Sequence, residues 1–158
     1  MNISIEKRKF IDAVFIASRF AEKKSGMLPV LSSVLIIASN EGIKMRATNL
    51  EIGIDLKLEG KIISEGVVAV PANILQQIAS SLTNEGNIIL EHTGDIITLV
   101  SGMGKSSIKT IPYDDFPSIS FPESPKNRII IPGIFLRTLF TTVASCASSS
   151  IVRPELAS

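Results

Sequence analysis

The sequence predicts an α+β chain built from a repeated strand–helix–strand–strand–strand unit. Three observations carry that reading. An opening phrase, a short apolar strand followed by a stretch with helical periodicity, occurs three times: residues 3–7 before 10–21, 67–71 before 74–82, and 128–132 before 135–143. The spacing is regular, since Pro71 and Pro132 lie 61 positions apart, as do Leu75 and Leu136, while Phe10 to Leu75 is 65. Each of the first two openings is followed by three alternating segments bounded by turn residues.

Element by element, Ile3-Ser4-Ile5 alternates as a strand, and from Lys7 the period changes. Phe10, Ala13, Val14, Ala17 and Ala21 then recur at helical spacing, with Arg8, Asp12, Arg19 and Lys23 on another stripe. Ser25-Gly26, with Pro29 soon after, is the expected helix stop. Residues 34–38, 43–47 and 52–59 read as strands, and Gly60 through Gly66 as a connection. The second unit repeats the order. A strand over 67–70 meets Pro71 at the start of the next helix, and Ile74, Leu75, Ile78, Ala79 and Leu82 form the apolar face opposite Asn73, Gln77 and Ser80. Strands follow at 88–91, 96–100 and 106–111. Four prolines between Pro112 and Pro125 exclude ordinary helix or strand and predict a crossing between bodies. A third strand over 128–131 and a helix to about Ala147 come next. The three strands expected after them are missing, which reads as a piece of something longer.

Composition narrows the class. The chain has 158 residues, 45% hydrophobic and 20% charged, enough for one cored domain and a part. A single cysteine, Cys146, allows no disulfide within one chain and fits a reducing compartment. No apolar run reaches a membrane span and no signal peptide is visible, so a cytoplasmic chain without membrane contact is expected. The net charge of +1 divides unevenly: +3 over residues 1–40, −5 over 41–123 and +3 over 124–158. The first and third strand–helix openings are basic around an acidic middle, a distribution suited to orienting on a polyanion.

Catalytic chemistry finds little footing. Gly104-Lys105-Ser106 resembles the tail of a phosphate-binding loop, but the position five before Gly104 is Leu99, and residues 106–111 read as strand rather than helix. A phosphate- or nucleotide-binding enzyme using that turn is the alternative reading, and a protein-interaction module with exposed strand edges is a third. Asp114-Asp115 has no third ligand at a metal spacing, and His92, the one histidine, marks a hairpin tip. No catalytic residue, metal or cofactor is expected. The remaining signal is basic: Lys7, Arg8, Lys9, Arg19, Lys23 and Lys24 in the first opening, Arg137 on the third helix and Arg153 beyond it. Asn73 and Gln77 add neutral polar groups that can also contact phosphate. Without interleaved aromatics or a base-reading motif, the expected nucleic-acid partner is duplex DNA held by its backbone, without sequence preference and sensitively to salt.

Five segments resemble the bacterial sliding-clamp family, the beta subunit of DNA polymerase III: Leu28-Pro29-Val30-Leu31-Ser32-Ser33-Val34-Leu35, Ala47-Thr48-Asn49-Leu50-Glu51-Ile52-Gly53, Val70-Pro71-Ala72, Ile111-Pro112-Tyr113-Asp114-Asp115-Phe116-Pro117 and Arg153-Pro154-Glu155-Leu156. They stand in the family's order along the whole chain. The resemblance implies a DNA-clamp (processivity) fold with helices on one face of antiparallel sheets, the helices lining a ring closed by two subunits. It implies a non-catalytic processivity factor for the replicative polymerase. Residues 1–121 would be the first domain, and 122–158 a linker and the start of the central one. The resemblance places a DNA contact at Ser25, beside Lys23 and Lys24, and another region over 148–154, here Ser149 and Arg153. It places the subunit interface on residues 105–109, with Lys105, Ser106 and Ile108. Polymerase and clamp loader would be recruited mainly through later domains. A piece of this length is not expected to close a ring.

Overall fold

The computed structural model describes residues 1–21, 28–83, 85–102, 104–119, 129–144 and 146. They fall into two units divided between Ile119 and Ser120. The first holds β1 (Asn2–Glu6), α1 (Lys7–Ala17), β2 (Ser33–Ser39), β3 (Gly42–Thr48), β4 (Gly53–Leu58), β5 (Gly60–Ser64), β6 (Gly66–Pro71), α2 (Ala72–Ser81), β7 (Asn87–Thr93), β8 (Ile96–Ser101) and β9 (Gly104–Lys109). A single 3-10 turn over Pro29–Ser32 leads into β2.

The strands form two antiparallel sheets, ordered β5-β1-β7-β8-β9 and β4-β3-β2-β6. Neither sheet is made from one repeat alone. The opening strand of the first repeat, β1, pairs with β7 of the second, placing Ile3 opposite Leu90. The opening strand of the second, β6, pairs with β2 of the first, placing Val34 opposite Val70. The two repeats are thus interlocked by exchanging their first strands. Ile111 repeats the exchange at the far end, bridging to Ala69 of the four-stranded sheet.

The expected connection over 60–66 is largely strand. Residues 60–64 form β5 and pair with β1, Ile62 lying opposite Ile3. The chain therefore leaves one sheet at Leu58 and enters the other at Gly60. A β-carbon at Gly60 would lie 2.7 Å from the Ser4 carbonyl oxygen and 2.8 Å from Ile43 Cδ1. Only glycine fits so close a backbone approach.

Both helices cover the inner faces. α1 packs beside α2 and touches strands of both sheets. Phe10, Val14 and Ala17 are fully buried, and Ala13 and Ala21 nearly so. They join one core with Ile3, Ile36, Met45, Val70, Leu75, Ile88, Leu90 and Ile97, drawn from both sheets and both helices. Alternate strand positions supply this core because side chains point to opposite faces in turn. α1 ends earlier than its apolar period suggests. Arg19 and Phe20 amides bond back to Ile16 and Ala17, a tightened last turn, and Ala21 reaches the core from beyond the helix. On α2, Leu75 and Ala79 face inward as expected, whereas Ile74 is 39% exposed and points out.

The second unit contributes α3 (Gly133–Ala144), none of whose residues is buried within that unit. The expected strand over 128–131 is not formed by its described residues, 129–131.

Candidate nucleic-acid interface

Helical geometry sorts the basic side chains of the first unit. On α1 the buried stripe is Phe10, Ala13, Val14 and Ala17, and Arg8 lies half a turn round from it. Arg19, in the turn after α1, projects on the same side as Arg8 by period, and both are exposed. Neither has an ion-pair partner among the described residues. Asp12 sits on this stripe one turn from Arg8 and tempers its charge.

Two lysines expected on this surface are used elsewhere. Lys7 is buried to 8% exposure. Lys9 forms an ion pair with Glu59, at the crossing between the sheets, and lies 3.7 Å from Glu6. The Glu59 hydrogen bond raises the Lys9 pKa and lowers that of Glu59. Lys44 and Glu41 pair at 2.6 Å across the β2–β3 turn, which lowers the Glu41 pKa.

On α2, Asn73, Gln77 and Ser80 are exposed along one flank. Asn73 Oδ1 accepts a hydrogen bond from the Ile74 amide at 2.8 Å, and Ser80 Oγ donates to the Gln77 carbonyl at 2.7 Å. The Gln77 side-chain amide makes no hydrogen bond among the described residues. Because α1 and α2 pack side by side, Arg8, Arg19, Asn73 and Gln77 belong to one helical layer. Guanidinium and amide groups on such a layer can grip phosphate oxygens, and nothing in their arrangement reads a base edge. Arg137 is exposed on α3 of the second unit. Lys23, Lys24, Ser25, Ser149 and Arg153 lie outside the described residues.

The expected subunit edge is β9, which has β8 on one side and no strand on the other. Lys105 is exposed and Ser106 half-buried, but Ile108 is 3% exposed and belongs to the core. What position 108 offers a partner is its backbone. Gly104-Lys105-Ser106 opens this strand rather than a helix, so the phosphate-loop alternative lacks its helix N-terminus. Among the described residues no group of acidic, histidine and cysteine side chains is placed to hold a metal, and no helix is long and apolar enough to cross a membrane.

Residues 1–120 match the family model of the DNA polymerase III beta subunit, N-terminal domain. The chain belongs to this family. The beta sliding clamp of Pseudomonas aeruginosa is 26% identical over 156 residues, covering 96% of this chain and 41% of that relative. The crystal structure of the DNA polymerase III beta chain from Streptococcus pneumoniae superposes with a TM-score of 0.85 at 25% identity, covering 97% of this chain and 42% of the other. That of the beta subunit from Thermotoga maritima gives 0.71 at 29% identity, covering 78% and 34%. The chain thus spans less than half the length of these family members. The two interlocked sheets with their paired helices are this family's N-terminal fold.

Proposed function

We propose that the protein serves as a beta sliding clamp of the replicative DNA polymerase, a non-catalytic factor that holds the polymerase on duplex DNA. Residues 1–121 are read as its N-terminal domain and 122–158 as linker and the start of the central one. The observation that carries the reading is the helical layer. Arg8 and Arg19 stand exposed with no ion-pair partner among the described residues, in one layer with Asn73 and Gln77, and contact phosphates without reading sequence. Lys23, Lys24, Ser25, Arg137, Ser149 and Arg153 are read as further DNA contacts. Lys105, Ser106 and the β9 backbone meet a second subunit. Polymerase and clamp loader bind through surfaces outside this span. The single cysteine favours the cytoplasm.

Fluorescence anisotropy of a labelled random-sequence duplex, titrated across salt, tests the DNA contact. The native chain should show weak binding whose logarithm falls linearly with log salt. Arg8→Glu with Arg19→Glu should weaken it and reduce the slope by about 1.8, two phosphate contacts at roughly 0.9 each. An unchanged slope would remove both arginines from the interface.

A further inference from the structure

We infer that Asp12 sets the strength of the duplex contact, holding it weak so that the helical layer rides along the phosphate backbone instead of gripping it. The inference rests on the clamp reading and adds to it a residue that works against binding. At roughly 100° per residue, Arg8, Asp12 and Arg19 fall within about 40° of one another, on the side of α1 opposite the buried Phe10 and Ala17. All three are exposed. Asp12 lies between the two arginines along the chain and one turn from Arg8. It makes no ion pair with either, or with any other described residue.

The charge balance of the layer turns on this side chain. α2 carries no charged residue. On α1, Lys7 is buried and Lys9 is paired with Glu59. The layer therefore offers an outside partner two arginines and one aspartate, a net of +1 where the arginines alone would give +2. A carboxylate on the arginines' own line approaches the phosphates they contact, and its repulsion offsets part of their attraction. Backbone contacts that do not read sequence permit sliding along the duplex, and a weaker hold makes each step easier. Asp114 supplies the comparison. It lies between Ile111 and Phe116, which pack on Leu35. Leu35 faces away from the helices, because its neighbours Val34 and Ile36 point into the core that the helices cover. Removing the charge of Asp114 thus changes the net charge equally, on the face away from the helical layer.

Anisotropy of a labelled random-sequence duplex, titrated with the native chain, Asp12→Asn and Asp114→Asn across a range of salt, tests the inference. Asp12→Asn should bind about threefold to tenfold more tightly at low salt, a gain that shrinks toward nothing as added salt screens it. Asp114→Asn should bind like the native chain. A gain in Asp12→Asn that does not depend on salt would point to altered helix structure and overturn the inference. An equal gain in Asp114→Asn would overturn it too, by showing that net charge alone is at work. If Arg8→Glu with Arg19→Glu weakens native binding but Asp12→Asn binds no more tightly than the native chain, the inference falls and the DNA reading stands. If neither the native chain nor Asp12→Asn binds duplex, both fall.

Discussion

At Gly60, two residues after Leu58, the chain passes from the four-stranded to the five-stranded sheet. A methyl group there would press on the Ser4 carbonyl at 2.7 Å, and a backbone oxygen cannot swing aside as a side chain can. Gly60→Ala is expected to destabilise by about 1–3 kcal/mol, the usual cost of overpacking, read from the urea midpoint. The neighbouring Glu59–Lys9 pair adds a pH signature. The Glu59 carboxyl is held below its ordinary 4.5 in the folded chain, so its contribution is present above 4.5 and fades as pH falls through the lowered value. Lys9 works at the other end: its raised pKa gives stability present below 10.5 and lost as pH rises through the folded value. Glu59→Gln should flatten the acid limb of Tm against pH between neutral pH and pH 3, by a small amount because both groups are exposed to solvent. At this scale the sequence shows that Gly60 breaks an alternation. It does not show why, because the atoms that exclude a side chain come from Ser4, Ile5 and Ile43, far away along the chain.

Among the elements, β1 is an interior strand of its sheet, bonded to β5 on one side and β7 on the other. Strands β5 and β9 are the edges. Hydrogen exchange should follow that order. The β1 amides should open only with the whole unit, while those of β9 that point away from β8 should exchange orders of magnitude sooner. Equal protection of β1 and β9 would contradict the strand order. Most elements were legible because their periods are clean, as in Phe10, Ala13, Val14 and Ala17 for α1 and the alternation of β3 and β4. β5 was not, because Lys61, Ile62, Ile63 and Ser64 carry no clean alternation and Glu65 and Gly66 close it off as a turn. Pairing with β1 makes it a strand, as tertiary context overrides weak local preference. The loss of Lys7 and Lys9 from the basic surface has the same origin. Sequence counts their charges, but packing buries one and the sheet crossing neutralises the other.

For the molecule as a whole, the exchange of opening strands predicts cooperativity. The main core of the first unit draws on both sheets, with Phe10 fully buried in it. Phe10→Ala should cost about 3–5 kcal/mol and lower the unfolding of both sheets together. Coincident transitions by far-ultraviolet circular dichroism and by exchange of β3 and β8 amides would bear this out, and separate transitions would show that the repeats unfold singly.

The sequence by itself determined the order of elements, the apolar faces of α1 and α2 and the likeness to the clamp family. Periodicity, turn residues and segment order are local properties, written along the chain. Only the tertiary structure decided that each repeat lends its first strand to the other, that residues 60–64 close the edge of the larger sheet, and which cations remain free. Those outcomes depend on backbone pairing and burial between residues up to 91 positions apart, such as Met1 and His92, whose amide donates to the Met1 carbonyl. Such contacts lower the free energy only when both partners arrive together, so neither segment carries them alone.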